Sequence, residues 1–195
     1  MEKHSIIGKN IQDSILLKQQ VLADKTLMRQ VDEMVTAVVG CFKNGGKVLF
    51  CGNGGSAADA QHLAAELSGR YYYDRPPLFS EALHVNSSYV TAVANDYSFE
   101  HIYARMIKAM GQKNDILIGM STSGNSSNVI EGLKQAKEQG MLTIGMTGGA
   151  GGAMNEVCDI VFIVPSTDTP RIQEMHMLIG HTICEIVEME LFPRN

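Results

Sequence analysis

Residues 47–68 read KVLFCGNGGSAADAQHLAAELS. The apolar run at 47–51 follows two glycines, and a short run of this kind is typical of a strand buried in a parallel sheet. The glycine-rich turn after it opens a segment, from about residue 56 to residue 68, that we predict to be helical. The stretch therefore predicts the strand, loop and helix unit from which α/β folds are built.

The same order of strand, polar loop and helix recurs at residues 115–139, where STSGNSS follows the strand. It recurs again from residue 141, where the strand is followed by TGGAGG. Two further apolar runs, 81–85 and 160–164, bring the strands to five. We predict an α/β fold, a flavodoxin-like three-layer sandwich with a five-stranded, mostly parallel sheet, in which ligands bind at the carboxyl ends of the strands.

Helical spacing dominates both ends of the chain. Residues 10–43 form two predicted helices divided near Asp24, and residues 170–192 form a long closing helix. These helices offer more apolar face than one small sheet can cover, so we expect them to pack between subunits of a homo-oligomer. We predict a single domain over residues 1–195, with an N-terminal helical segment at 1–45 and the α/β core and closing helix at 46–195.

Charge and cysteine usage exclude several classes of protein. The 16 basic and 21 acidic residues give a net charge of −5, which argues against nucleic-acid and anionic-membrane partners. There is no leader-like start and no run approaching the ~18 apolar residues that span a bilayer, so we predict a cytoplasmic protein. The four cysteines form no C-x-x-C pair and are predicted to be reduced and mostly buried. A thiol nucleophile is the minor alternative.

The turn at 52–57 satisfies the G-x-G-x-x-A form of the dinucleotide fingerprint. That motif also needs an acidic residue at the end of the next strand, to bind the ribose hydroxyl. The end of that strand reads HVNSS and carries no carboxylate. A nicotinamide cofactor is therefore not predicted, and the turn remains a candidate for binding another anion through its backbone N–H groups.

The loop STSGNS at 121–126 places four hydroxyls and a glycine between a strand and a helix. These groups can donate hydrogen bonds to a phosphate without a lysine. The nucleotide-binding pattern G-x-x-x-x-G-K-[ST] is absent, so ATP or GTP hydrolysis is not predicted. The alternative is that the serines only cap the helix and form the turn, but their density favours phosphate.

His62 and Glu66 are four residues apart and share one face of the predicted helix, whereas His181 and Gln173 lie on the closing helix. Isolated residues of these kinds are commonly structural or surface groups, and spacing cannot show whether the two helices meet. If they do, a carboxylate and an imidazole suffice for aldose–ketose isomerisation through an enediol. The four side chains could also bind a divalent ion such as zinc.

Taken together, these residues resemble the sugar isomerase (SIS) domain family and, within it, the bacterial phosphoheptose isomerases, over essentially the whole chain. The resemblance is carried by six stretches: GNGGSAADAQHLAAELSGRY (52–71), RPP (75–77), AVANDYSFE (92–100), ILIGMSTSGNSSNVI (116–130), MTGGAGGAM (146–154) and TPRIQEMHMLIGH (169–181).

The resemblance implies a homotetramer with active sites at subunit interfaces and one Zn²⁺ per subunit. It implies conversion of D-sedoheptulose 7-phosphate to D-glycero-D-manno-heptose 7-phosphate, the first step of nucleotide-activated heptose synthesis for lipopolysaccharide or other surface polysaccharide. Glu66 would be the base and His181 its acid/base partner. The implied zinc ligands are His62, Glu66, Gln173 and His181. The implied substrate contacts are Glu66 and Gln173, the phosphate cradle of Ser121, Thr122, Ser123 and Ser126, and the sugar contacts Asn53, Gly54, Gly55, Asn95 and Asp96.

Two differences from the family pattern lie near the implied sugar end. Val85 and Asn86 stand where the family usually has Thr-Asp, and Ala94 stands where glycine is common. One alternative is a non-enzymatic SIS protein that binds a replication initiator, because RIQEMHML and LFPRN resemble that group. That group lacks the carboxylate and the histidine found here at Glu66 and His181. The other alternative is a pentose-phosphate isomerase or a sugar-binding regulator of the same family.

Overall fold

The computed structural model describes residues 3–194, and its centre is a sheet of five parallel strands in the order β2-β1-β3-β4-β5. The prediction of a five-stranded parallel sheet is confirmed. The strand order changes direction between β1 and β3, which is the switch point where α/β folds form a crevice for ligands. The strands are β1 (Val48–Gly52), β2 (Ser80–Ala82), β3 (Ile116–Ser121), β4 (Leu142–Gly148) and β5 (Ile160–Val164).

Helices cover both faces of the sheet and form two separate cores. Val48 and Phe50 of β1 face one core, whereas Leu49 and Cys51 face the other, as the period of two in a strand requires. The predicted three-layer sandwich is thereby confirmed. The helices are α1 (Lys3–Ala23), α2 (Lys25–Lys43), α3 (Gly55–Ser68), α4 (Ser87–Asp96), α5 (Ile102–Met110), α6 (Ser127–Glu138), α7 (Met154–Val157) and α8 (Thr169–Leu191).

The predicted break between the first two helices is confirmed at Asp24. Its carboxylate accepts hydrogen bonds from the backbone N–H groups of Thr26 at 2.8 Å and Leu27 at 3.2 Å, so it caps α2. The prediction of a strand at residues 81–85 is wrong in its bounds. The chain leaves the sheet after Ala82, and Asn86 caps α4 by accepting a bond from the N–H of Tyr89 at 3.0 Å.

Three helices, α4, α5 and α7, were not predicted from the sequence. Helix α5 buries Ile102, Tyr103 and Ile107 along one face, so its pattern is helical. At nine residues it is shorter than the window in which helical periodicity can be recognised reliably. Contacts with α6 and the sheet stabilise it, and these contacts are tertiary.

Helix α1 has one exposed apolar face, formed by Ile7, Ile11 and Ile15 at intervals of four. Ser14 lies beside this face and donates a hydrogen bond to Glu174 of α8 at 2.8 Å, so the isoleucines border a groove between α1 and α8. The exposed face is the apolar surface from which an oligomer was predicted. Among the helices of residues 3–194, none combines the length and apolar character needed to cross a membrane.

All four cysteines are free thiols, and Cys158 alone of them is only half-buried. Burial raises the pKa of Cys41 to about 11 and the pKa of Cys158 and Cys184 to about 12, and it raises that of Cys51 further still. The thiols are therefore protonated at neutral pH, and a thiolate nucleophile has no support.

Candidate active site

The loops of the candidate site lie at the carboxyl ends of β1 and β3, on either side of the switch point. Gly52 is paired with Met120 in the sheet, so the turn after β1 and the loop after β3 begin side by side. The side-chain amides of Asn53 and Asn128 exchange two hydrogen bonds, of 2.8 Å and 2.9 Å, between the turn and the first turn of α6. Sequence reasoning missed Asn128, because its only signal was its place just after the hydroxyl loop.

The glycines of the first turn allow α8 to approach α3. Gly54 has a φ of 55°, a left-handed conformation that favours glycine. A Cβ at Gly55 would lie 2.4 Å from Nε2 of Gln173, so any side chain there would displace the glutamine. The structure therefore brings three of the predicted site residues, Gly54, Gly55 and Gln173, into one place.

The hydroxyls of the predicted phosphate loop lie close together. Oγ of Ser121, which is buried, lies 2.9 Å from Oγ of Ser126 and 3.5 Å from Oγ of Ser123. Ser126 precedes α6, but its side chain makes no capping bond, so it leaves the first N–H groups of the helix to other acceptors. Thr122 and Ser123 line a cavity of about 380 Å³ beside the TGGAGG loop. Hydroxyls and a helix N-terminus together suit an anion.

The two predicted proton-transfer helices meet. Nε2 of His62 lies 3.2 Å from Oε1 of Glu66 on α3 and 3.0 Å from Nε2 of His181 on α8. The crossing is close because α8 carries Gly180, where a Cβ would lie 2.4 Å from Cδ1 of Leu63. Half of the His62 side chain is exposed (49%), so the cluster opens to solvent.

The cluster has the dimensions of a metal site. Side-chain atoms of His62, Glu66 and His181 that can bind a metal all lie within 4.8 Å of one another. Two ligands of a tetrahedral zinc ion, each at 2.0–2.1 Å, are roughly 3.3 Å apart, which is close to the separations of 3.0 Å and 3.2 Å seen here. Nitrogen and carboxylate donors at this spacing can hold one divalent metal ion.

Gln173, the fourth predicted ligand, lines the same cavity of about 540 Å³ as His181. Asp59 lines it too, and sequence reasoning missed this residue. Its Oδ2 is buried without a hydrogen-bond partner, and burial raises the pKa of the carboxyl, against the opposing effect of nearby His62. The signal in the sequence was its position three residues before His62, which puts both on one side of α3.

Asn95 and Asp96 are exposed at the end of α4. Within residues 3–194, the only side-chain hydrogen bond that either of them makes joins Asn95 Nδ2 to Asp96 Oδ1, at 3.0 Å. The structure of one chain therefore does not bring these two predicted sugar contacts together with the cluster.

Comparison with known proteins identifies the family of the chain. The chain matches the SIS domain over residues 13–148. Phosphoheptose isomerase 2 of Campylobacter jejuni is 51% identical over 192 residues, which cover 98% of this chain and 96% of the relative. The chain belongs to the SIS domain family and, within it, to the phosphoheptose isomerases.

Solved structures of that family superimpose closely on the chain. A phosphoheptose isomerase from Francisella tularensis is 37% identical with a TM-score of 0.93, covering 97% of this chain and all of the other (100%). The enzyme from Neisseria gonorrhoeae is 39% identical with a TM-score of 0.90, covering 96% of this chain and 99% of the other.

Proposed function

We propose that this chain is an aldose–ketose isomerase that converts D-sedoheptulose 7-phosphate to D-glycero-D-manno-heptose 7-phosphate. The observation that carries the proposal is the meeting of Glu66 and His181 across α3 and α8. The loop after β3 adds a set of closely spaced hydroxyls that suit the phosphate. The near full-length relatives named phosphoheptose isomerase support the same activity.

The proposed reaction moves two hydrogens and leaves the phosphate untouched. The carbonyl of the ketose is at C2, and Glu66 removes a proton from C1 to give an enediol. The proton then returns to C2, while His181 acts on the opposite side as the acid/base group that transfers a proton between the two oxygens. Side chains placed in this way typically contribute about 10²–10⁴-fold each to such proton transfers.

We propose that the phosphate and the sugar of the substrate bind to different parts of the site. The hydroxyls of Ser121, Thr122, Ser123 and Ser126 would hold the phosphate, supported by their short separations and by the start of α6. The sugar would lie across the glycine turn of Asn53, Gly54 and Gly55 toward Glu66 and Gln173, a path supported by the contact between that turn and Gln173.

We propose zinc as the metal, one ion per subunit, held by His62, Glu66, Gln173 and His181. The spacing of the nitrogen and carboxylate donors supports this choice, since both are ligand types that zinc favours. When bound, zinc would polarise the carbonyl oxygen and stabilise the negative charge of the enediolate.

We propose a homotetramer of single-domain chains (residues 1–195) with active sites between subunits. The exposed isoleucine face of α1 supports association, and the half-exposed His62 supports a site that a second chain completes. Asn95 and Asp96 would then contact sugar in a site shared with another subunit. The four free thiols support action in the reducing cytoplasm.

The proposed product is an aldose phosphate, which suits the first step in making nucleotide-activated heptose for lipopolysaccharide or other surface polysaccharide. A replication-initiator-binding protein without activity is the alternative from another class. A pentose-phosphate isomerase or a sugar-binding regulator is the alternative within the family. Glu66 and His181 each lie within contact distance of His62. This arrangement favours catalysis over the initiator-binding protein and the sugar-binding regulator.

A coupled assay on sedoheptulose 7-phosphate, with wild type and Glu66→Gln, tests the proposal. We expect turnover by the wild type and a loss of about 10²–10⁴-fold in kcat in the variant. Turnover of a pentose phosphate instead would reassign the substrate, and absence of turnover on both sugars would exclude the isomerase.

The role of zinc is tested by metal analysis of protein purified without chelator, followed by an activity assay after the metal is removed. An unchanged rate in the metal-free enzyme would exclude zinc from the reaction.

A further inference from the structure

A buried ion pair lies near the C-terminal ends of α3 and α8 and has no role in the proposed chemistry. Nε of Arg75 is 3.2 Å from Oε1 of Glu188, and each side chain is only 1% exposed. Arg75 belongs to the segment that follows α3, and Glu188 lies in the last turn of α8. The pair therefore joins the two helices that carry the His62, Glu66 and His181 cluster.

Arg75 holds the end of α3 through its backbone. Its guanidinium donates to the carbonyl of Glu66 at 2.9 Å, of Leu67 at 2.8 Å and of Gly69 at 3.1 Å. The last carbonyls of a helix have no partners within the helix, and a cation there also interacts favourably with the helix dipole. One of the carbonyls held in this way belongs to the proposed catalytic base itself.

Glu188 fixes the segment that packs against His181, on the other side of the cluster. Its carboxylate accepts hydrogen bonds from the backbone N–H of Tyr71 at 2.9 Å and of Tyr72 at 2.7 Å. Burial alone would raise the pKa of this carboxyl, but these bonds and Arg75 outweigh it and lower the pKa, so Glu188 is ionised at neutral pH. The Tyr71 ring packs on the imidazole of His181, with the ring centres 5.7 Å apart.

Stability alone is a weak explanation for such a pair, because desolvation cancels most of the attraction between buried charges. The chain offers a direct comparison in Lys47 and Asp115, 2.5 Å apart, whose side chains are 11% and 3% exposed. Asp115 also accepts two backbone N–H bonds, from Lys47 at 3.0 Å and Gln112 at 2.8 Å. It lies where β1 and β3 begin, and none of these bonds involves α3 or α8.

We infer that Arg75 and Glu188 form a positioning pair for the isomerase reaction, which fixes the carboxylate of Glu66 and the imidazole of His181 relative to one another. The inference rests on the proposed function. It assigns the pair no contact with the substrate. Its effect is transmitted through the backbone of α3 on one side and through the Tyr71 ring on the other.

The variants Glu188→Gln and Arg75→Lys test the inference against Asp115→Asn, which removes the same kind of charge from a carboxylate with the same kinds of partner. Partners that orient metal ligands typically contribute about 10–100-fold to metal affinity or activity, and Glu66 and His181 are proposed ligands, so we expect kcat to fall by that factor in both variants. KM should stay within about twofold, because the hydroxyl loop on β3 and α6 does not contact the pair. Asp115→Asn should keep the wild-type kcat, even though it loses stability.

Each enzyme is assayed at a temperature where circular dichroism shows it to be folded, and the milder Arg75→Lys serves if Glu188→Gln does not fold. Unchanged kcat in the folded variants, or an equal loss in Asp115→Asn, would overturn the inference.

Crystal structures give a second readout that needs no turnover. We expect the separation of 3.0 Å between the two Nε2 atoms of His62 and His181 to widen, and an unchanged separation would overturn the inference. Failure of the proposed function would appear differently, as an inactive wild type.

Discussion

The hydroxyl loop at residues 121–126 and the cluster of His62, Glu66 and His181 are built in different ways. The loop is continuous in sequence, and its hydroxyls are neighbours wherever β3 and α6 place it. The cluster joins residues 119 positions apart, and it exists because α8 packs against α3. Changes in helix packing should therefore damage the cluster and spare the loop.

The largest expected effect comes from removing one member of the cluster. In His181→Ala we expect kcat to fall by about 10²–10⁴-fold, because the acid/base group is lost, with little change in the affinity for inorganic phosphate. A coupled assay and calorimetric titration with phosphate measure the two quantities. The control is His101→Ala, an exposed histidine outside the cluster, which should behave as wild type. Equal loss of phosphate affinity in His181→Ala would show that the two regions are not independent.

His176 tests the contact between α8 and the sheet beneath the two loops. It is fully buried, its Nε2 lies 3.2 Å from the carbonyl of Thr147, and burial lowers its pKa from 6.5 to about 4. The unfolded chain thus binds more protons than the folded one between these values. Stability is complete above about pH 6.5 and decreases as the pH falls toward 4, by up to about 3 kcal/mol.

Urea unfolding between pH 7 and pH 4 measures this effect. His176→Gln keeps a donor for the carbonyl of Thr147 but cannot titrate, so its stability should depend less on pH than that of the wild type over this range. Other groups titrate there as well, which is why the difference between the two proteins is the quantity to compare. Identical pH dependence in both would contradict the assignment.

Gly180→Ala tests the close crossing of the helices. The added Cβ would lie 2.4 Å from Leu63, and overpacking of this kind costs about 1–3 kcal/mol. We expect lower stability in urea and a lower kcat, with phosphate affinity preserved. Gly40→Ala on α2 is the matched control, since its Cβ would meet nothing within 4 Å, and it should gain up to about 1 kcal/mol. A Gly180→Ala enzyme with wild-type stability and rate would contradict the claim that the close crossing of α3 and α8 positions the cluster.

The smallest effect is expected in the loop. Ser126→Ala removes one of several hydroxyls, and one hydrogen bond contributes about 1 kcal/mol, so phosphate affinity should fall roughly fivefold. The kcat should change little. The adjacent Ser127→Ala is the control, because Ser127 is exposed and is not among the proposed phosphate contacts. A large loss of kcat in Ser126→Ala would contradict the separation of the two regions.

Much of the fold was predictable from local patterns. The strand predicted at 160–164 is observed as β5 with the same bounds, because five apolar residues lie between Asp159 and Pro165, and proline has no N–H to continue the strand. The bounds of β2 were not predictable in this way, since the cap formed by Asn86 competes with the strand and ends it early. Short α5 was missed because its stability comes from packing against α6.

The sequence by itself determined the alternating fold, the hydroxyl loop and the identity of the residues available for proton transfer. All of these depend on neighbours along the chain, and local spacing is enough to define them. Only the tertiary structure decided that His62 and His181 meet, that Asp59 and Gln173 share their cavity, and that Arg75 and Glu188 join the two helices. Such contacts depend on how side chains far apart in sequence pack, and helical or strand periodicity carries no information about that distance.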